Sequence, residues 1–83
     1  MRVIIAPRAE RELKRLSAQD QNRVGRALDV LTEFPRKGDI RKMRDSDGEW
    51  RLRIGEVRVR FRPDLADNVV VVLRVLPRDK AYR

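Results

Sequence analysis

The sequence predicts an α+β domain in which a two-helix hairpin packs on one face of a mainly antiparallel four-stranded sheet. Apolar residues recur at helical spacing in the first part of the chain, and they alternate with arginine in the second part. A length of 83 residues is that of one small domain. We therefore expect a single domain over residues 1–83, with the element order strand, helix, helix and three strands.

The N-terminal segment predicts the first strand and the first helix. Residues 2–5 form a short β-branched run, and Pro7 suits the first turn of a helix, where its missing N–H costs nothing. The apolar residues that recur at helical spacing here are Ala6, Ala9, Leu13 and Leu16. Charged residues cover the other sides of the segment, which indicates an amphipathic helix.

A second amphipathic helix is predicted directly after the first. Ser17 followed by Asp20 is a capping arrangement at its start, and Pro35 ends it. Its apolar stripe consists of Val24, Ala27, Leu28, Leu31 and Phe34. The short joint between the helices predicts an antiparallel hairpin, and the two apolar faces need a flat partner to cover them.

A β-hairpin is the first part of that flat partner. Residues 36–48 are polar and rich in turn formers, so we expect a loop there, anchored by Ile40 and Met43. The two segments that follow, 50–54 and 57–62, alternate between apolar and arginine residues. The Gly55-Glu56 pair between them predicts a two-residue turn of type II′.

The last strand is predicted over residues 69–75. These residues are almost continuously apolar, which is typical of a strand covered on much of both faces. Residues 63–68 before it contain Pro63 and Asn68 and are predicted as a turn, and the residues after it form a polar tail.

The predicted turn sets the register of the hairpin. It pairs Ile54 with Val57, Leu52 with Val59 and Trp50 with Phe61, and all six point towards the helices. On the other face Arg53 lies opposite Arg58, and Arg51 lies opposite Arg60. We call Arg51, Arg53, Arg58 and Arg60 the arginine face. Like charges directly opposed across strands destabilise a sheet by about 0.2–1 kcal/mol per pair, so this face suits a polyanionic partner better than water.

Other candidate groups are fewer, and each has a simpler interpretation. Arg78 and Tyr82 follow the last strand, where arginine can clamp a phosphate and tyrosine can stack on a base or move a proton. A terminus without a role is the alternative, just as the arginine face has the alternative of a solvated surface in an arginine-rich chain. Trp50 is predicted to lie in the core, and Glu49 and Glu56 are predicted to be solvated carboxylates.

Composition limits the classes of function. Lysine and arginine number 21 against 13 acidic residues, a net charge of +8, which favours nucleic acid, an acidic protein segment or an anionic membrane surface as a partner. The chain has no cysteine and no histidine, which excludes disulfides, thiolate zinc sites and thiol nucleophiles. The longest apolar run is far shorter than a membrane helix requires. We expect a cytoplasmic protein without a metal or cofactor.

Three segments resemble the RelE/ParE superfamily of toxins from bacterial and archaeal toxin–antitoxin pairs. They are Ala9-Glu10-Arg11-Glu12-Leu13-Lys14-Arg15-Leu16, then Trp50-Arg51-Leu52-Arg53-Ile54-Gly55-Glu56-Val57-Arg58-Val59-Arg60-Phe61, and Val75-Leu76-Pro77-Arg78-Asp79-Lys80-Ala81-Tyr82-Arg83. The resemblance covers essentially the whole chain, and its middle segment is the most specific. It implies the same order of strands and helices as the residue patterns.

The resemblance implies an activity for these residues. RelE-type members cleave mRNA in the ribosomal A site without a metal, using basic residues of the central strands with an arginine and a tyrosine near the C-terminus. Arg51, Arg53 and Arg58 match the basic strand positions and would stabilise transition-state charge. Arg78 would act as a donor or phosphate clamp and Tyr82 as a base or base-stacking group. Arg60 matches no catalytic position and would contribute only to nucleic-acid binding.

Two departures from the family pattern bear on that activity. Many relatives have lysine where Arg51 and Arg53 stand, and an arginine cannot release its proton, so these two could act only electrostatically. Many also have a histidine where this chain has Pro77. Attack by the neighbouring 2′-hydroxyl of RNA needs orientation and charge stabilisation, and Tyr82 is the one plausible base.

The resemblance also implies partners and alternatives. The expected partners are a cognate acidic antitoxin, the ribosome and mRNA. ParE-type members share the fold and inhibit DNA gyrase, which is the alternative target. A third alternative is a non-catalytic basic module that binds nucleic acid or the antitoxin.

Overall fold

A computed structural model describes residues 1–35, 39–44 and 48–77. Its elements are, in chain order, β1 (Arg2–Ile5), α1 (Pro7–Lys14), α2 (Ala18–Leu31), β2 (Asp39–Lys42), β3 (Trp50–Ile54), β4 (Val57–Asp64) and β5 (Val69–Pro77). The strands form one five-stranded sheet in the order β1-β5-β4-β3-β2. The fold is α+β, as predicted, with both helices packed against the sheet.

The sheet has one strand more than predicted. Strand β2 lies within the segment expected to be a loop, and it pairs antiparallel with β3, with Ile40 opposite Leu52 and Arg41 opposite Arg51. A single apolar residue between charged neighbours is too short a pattern to predict a strand, but the unpaired edge of β3 provides hydrogen-bonding partners for it. Ile40 packs against the core and so anchors the segment as expected.

The sheet is mixed, because the strand pair at one edge is parallel and the pair at the other edge is antiparallel. Strand β1 pairs parallel with β5, with Val3 opposite Val70, whereas the other neighbouring pairs in the sheet are antiparallel. A parallel pair needs a long crossover, and the helical hairpin between β1 and the rest of the chain supplies it. Strand β5 therefore lies between β1 and β4, and each of its residues is buried or half-buried.

The helices begin and pack as their sequence pattern predicts. Pro7 occupies the first turn of α1, and the Ser17 hydroxyl at the start of α2 accepts a hydrogen bond from the backbone N–H of Asp20 at 3.2 Å. The side-chain amide of Gln21 donates to the carbonyls of Leu13 and Leu16, each at 3.2 Å, and so holds the joint between the helices. The buried residues of the helices are Ala9, Val24, Ala27 and Leu31.

The hairpin of β3 and β4 has the predicted register at every pair. Trp50 lies opposite Phe61, Leu52 opposite Val59 and Ile54 opposite Val57. Gly55 has a φ of 56°, which suits the first central position of the tight turn. Leu52, Val57, Val59 and Phe61 are buried against the helices, and Trp50 and Ile54 pack partly buried against the same core.

Strands β4 and β5 extend beyond their predicted ends and contain a β-bulge. Arg60 lies opposite Arg74 whereas Phe61 lies opposite Val72, so Leu73 is the extra residue on β5. The bulge changes which residues face the helices: Val70 and Val72 are buried before it and Val75 after it. Within the described ranges, neither helix is long and apolar enough to cross a membrane.

Candidate functional site

The four members of the arginine face lie on the side of the sheet opposite the helices. Arg51 and Arg53 come from β3, Arg58 and Arg60 come from β4, and the register places Arg51 opposite Arg60 and Arg53 opposite Arg58. The tight turn at Gly55 produces this arrangement, because it places every second residue of both strands on the same face. Arg51, Arg58 and Arg60 are half-buried and Arg53 is exposed.

Three of these arginines line a shallow cavity of about 170 Å³, which we call the arginine pocket. Its lining consists of Arg51, Arg58, Arg60, Met43 and Leu76. Arg53 lies on the same face but does not line the pocket. Three guanidinium groups beside two apolar side chains form a surface that can accept a phosphate together with a sugar or base.

Leu76 and Met43 line the arginine pocket but are not among the site residues that the sequence predicts. The sequence pattern places Leu76 in the polar tail, but β5 continues to Pro77 and pairs Leu76 with Arg58. Met43 is predicted only as a loop anchor. The bulge at Leu73, which places Leu76 on this face, is a tertiary feature that alternation within β5 does not indicate.

Arg60 is held by an ion pair. Its guanidinium donates to the Glu49 carboxylate just before β3, and the Glu49 side chain is only 15% exposed. The prediction that Glu49 is a solvated carboxylate is therefore wrong, because the two residues are neighbours across the end of the hairpin. The Nε atom of Arg60 is buried without a hydrogen-bond partner among the described residues. The charge of Arg60 is thus largely compensated within the protein.

Arg51 and Arg53 differ from Arg60 in this respect. Among the side chains that the structure describes, neither forms an ion pair with a carboxylate. A guanidinium without an internal counter-ion on a rigid strand can make charge-assisted hydrogen bonds to an anion without first breaking one within the protein. Arg51 and Arg53 of β3 are therefore available to an anion in a way that Arg60 is not.

A second cluster lies at the far edge of β5, where β1 has ended. The Glu12 carboxylate accepts hydrogen bonds from Arg74 Nε at 2.9 and 3.1 Å and from the backbone N–H of Val75 at 3.0 Å. Partial burial raises the pKa of Glu12, but these hydrogen bonds and the charge of Arg74 outweigh it, so the pKa lies below its ordinary value. The same hydrogen bond raises the pKa of Arg74. Glu12 thus neutralises the charge of Arg74 within the protein.

The two remaining site candidates, Arg78 and Tyr82, lie outside the described residues. Strand β5 ends at Pro77, directly before Arg78 and one residue after the Leu76 that lines the arginine pocket. Among the described residues, no group of histidine, cysteine, aspartate or glutamate side chains is arranged to hold a metal ion.

Comparison with known proteins identifies similar chains. The sequence matches the family described as ParE toxin of type II toxin–antitoxin system, parDE, over residues 3–82. A protein of Methanocaldococcus jannaschii named "Putative toxin RelE1" is 27% identical over 84 residues, covering 98% of this chain and 93% of that protein.

Solved structures with the same fold include toxins in complex with antitoxins. A chain of the toxin–antitoxin complex RelBE2 from Mycobacterium tuberculosis superposes with a TM-score of 0.79 at 29% identity, covering 93% of this chain and 96% of that one. A chain of the archaeal RelE–RelB complex from Pyrococcus horikoshii gives a TM-score of 0.75 at 26% identity, covering 93% of each chain. The isolated RelE toxin of E. coli shares the fold, with a TM-score of 0.76 at 19% identity over 92% of this chain and 82% of that one.

Proposed function

This chain belongs to the ParE toxin family of type II toxin–antitoxin systems, and we propose that it is a ribosome-dependent mRNA endoribonuclease that arrests translation. The proposal follows the RelE-like relatives and structures rather than the gyrase-directed members of the family. The observation that carries it is the arginine pocket, a cavity on the solvent face of the sheet that Arg51 and Arg58 both line.

The pocket supports phosphate chemistry rather than a flat contact surface alone. When the 2′-hydroxyl of RNA attacks the neighbouring phosphorus, a 2′-oxygen–phosphorus bond forms and the bond to the 5′-oxygen breaks, which leaves a 2′,3′-cyclic phosphate. Negative charge grows on the phosphate oxygens during this step, and the departing 5′-oxygen takes a proton from solvent. Arg51 and Arg58 would stabilise that charge, and Arg53 at the rim of the face would place the adjoining backbone. In the same proposal Arg78 clamps the phosphate and Tyr82 removes the 2′-proton or stacks on a base.

We include the ribosome in the proposal because the arginine face has no side chain that readily removes the 2′-proton of RNA. Arginine stays protonated at every accessible pH, and the chain contains no histidine. Isolated RNA would therefore be cleaved slowly, and a partner that orders the nucleotide would supply the missing positioning. The family's description supports an antitoxin as a second partner. An acidic antitoxin segment would mask the positive charge of the arginine face.

The proposal is tested by growth arrest and by mapped cleavage. We expect induction of the wild-type chain to stop growth, and purified protein to cut mRNA on programmed ribosomes. Arg51→Gln and Arg58→Gln should each reduce the cleavage rate by about 100-fold, since one stabiliser of transition-state charge is worth about that much. Arg78→Ala and Tyr82→Phe should relieve the arrest.

The matched control is Arg26→Gln, which removes the same charge from an exposed position on α2, on the helical side of the molecule. It should cleave at the wild-type rate. Growth arrest without mRNA cleavage, combined with loss of gyrase supercoiling, would overturn the proposal in favour of gyrase inhibition. Binding of nucleic acid with neither arrest nor strand breaks would leave only a binding module.

A further inference from the structure

A row of arginines crosses the strands on the solvent face of the sheet. Arg41 lies opposite Arg51, Arg51 opposite Arg60, and Arg60 opposite Arg74. Direct partners on antiparallel strands share a face, and neighbouring strands lie about 4.8 Å apart. One arginine therefore stands at the same level on each of β2, β3, β4 and β5. We call these four residues the arginine row.

The row is neutralised at one end only. Arg60 is paired with Glu49, and Arg74 is paired with Glu12. Within the part of the chain that the structure describes, Arg41 and Arg51 have no carboxylate partner. Arg41 is exposed, and β2 is one of the two edge strands of the sheet. The uncompensated charge thus runs from the arginine pocket outwards to the β2 edge and not towards β5.

Two unneutralised arginines directly opposite one another on β2 and β3 destabilise their strand pair. The two residues lie along a line at right angles to the strands, one strand spacing apart. We call this line a track. A polyanion that crosses the strands meets Arg51 and Arg41 in succession. An acidic peptide that adds to the sheet edge runs along β2 instead, and it meets the row only at Arg41.

We propose that the outer half of the arginine row is a binding track for single-stranded RNA, in which Arg41 holds the phosphate next to the one bound in the arginine pocket. The inference rests on the proposed function and extends its site to the β2 edge. RNA is favoured over a peptide because the track crosses the strands, whereas a peptide added to the sheet edge would run along β2. Met43 and Leu76 also offer apolar surface beside the track for a base or sugar.

Binding is measured by fluorescence anisotropy with a labelled ten-nucleotide RNA whose 2′-O-methyl groups prevent cleavage. At low salt, Arg41→Gln should weaken binding about fivefold and should reduce the slope of log affinity against log salt by about 0.7, the value for one phosphate contact on a single strand. Arg41→Lys should retain most of the affinity, because it keeps the charge.

Lys42→Gln is the matched control, since Lys42 is the next residue on the same edge strand and lies opposite Trp50, on the helical face. It makes the same change in net charge and should alter the affinity by less than about twofold. Equal effects of the two variants would overturn the track, because net charge alone would then explain both. Loss of affinity for polyglutamate but not for RNA in Arg41→Gln would overturn it in favour of an acidic protein segment.

Arg51→Gln in the same assay separates this inference from the proposed function. If Arg51→Gln weakens RNA binding while Arg41→Gln does not, the track is wrong and the arginine pocket stands. If neither substitution weakens binding, the pocket itself is not an RNA site and both proposals fail. Thermal unfolding of each variant, monitored by circular dichroism, verifies that the substitutions leave the fold intact.

Discussion

Among single residues, Glu12 forms hydrogen bonds to Arg74 and Val75, residues more than 60 positions away that the local sequence pattern does not indicate. It comes from α1 and satisfies the backbone N–H of Val75, at the part of β5 that β1 does not reach. Arg74 approaches the same carboxylate with its Nη2 atom at 2.8 Å. An unpaired N–H at this position would carry the cost of a lost hydrogen bond, so Glu12 completes the edge of the sheet.

We expect Glu12→Gln to lower the free energy of unfolding by about 1–2 kcal/mol at neutral pH. Hydrogen bonds to a charged group contribute about 1.5–3 kcal/mol, and the amide of glutamine retains part of that. Urea unfolding measures the change. Glu10→Gln, at an exposed position two residues earlier on α1, is the control and should change stability by less than about 0.5 kcal/mol.

The pH dependence of the same variant has a defined sign. The pKa of Glu12 is lower in the folded state than its ordinary value of 4.5, so its contribution is complete above that value. The contribution disappears as the pH falls through the folded-state pKa, because protonation removes the ion pair with Arg74. The wild-type chain should therefore lose more stability on acidification than Glu12→Gln. Parallel stability curves for the two proteins would contradict this account of Glu12.

Among the elements, the β3–β4 hairpin determines which residues share the arginine face. Its turn depends on Gly55, whose φ of 56° is unfavourable for other residues. Arg23 of α2 also lies against this turn, since a Cβ at position 55 would be 2.9 Å from Arg23 Nε. The arginine side chain can move aside, so a substitution here is destabilising mainly because of the left-handed backbone conformation.

We expect Gly55→Ala to destabilise the protein by about 1–2 kcal/mol, the cost of a left-handed conformation for a residue with a Cβ. Gly25→Ala in α2 is the matched comparison. That glycine is exposed within a helix and a Cβ there would meet nothing within 4 Å, so the substitution should stabilise the protein by about 0.5–1 kcal/mol. Thermal unfolding of the two variants should shift in opposite directions, and a shift in the same direction would refute the role given to the turn.

For the molecule as a whole, one core joins the helical layer to the sheet. Phe34 after α2 packs edge-to-face on Trp50 of β3 and on Phe61 of β4, with ring centroids 5.1 and 5.5 Å apart. Phe61 is completely buried. The single tryptophan of the chain therefore reports on the contact between the two layers.

We expect Trp50 fluorescence and far-ultraviolet circular dichroism to give the same urea midpoint, because a small domain with one shared core unfolds in a single step. Phe61→Leu should lower both midpoints together, since it removes ring contacts from both layers. Separate midpoints for the two signals would indicate that the helices and the sheet unfold independently. A Phe34→Leu variant is the control for the effect of the Phe34–Trp50 ring contact on the fluorescence signal.

Much of this architecture is local in origin, and the sequence predicts it correctly. The two helices follow from apolar spacing and from the Ser17 cap, and the hairpin register follows from alternation around Gly55. The pairs of arginines across β3 and β4 are predictable for the same reason. Three features are not predictable in this way, because each depends on residues brought together from separate segments. They are strand β2, the Glu49–Arg60 ion pair and the position of Leu76 in the lining of the arginine pocket.

By itself, then, the sequence determined the α+β class, the helical hairpin and the placement of four arginines on one face. The spacing of apolar residues, helical in one part and alternating in the other, indicates which side of each helix or strand is buried. Tertiary structure alone decided which arginines are paired with a carboxylate. The carboxylates that neutralise Arg60 and Arg74 come from outside strands β4 and β5, and Glu12 is 62 residues away from Arg74 in the chain. Electrostatic pairing depends on distance in space, which the order of residues does not specify.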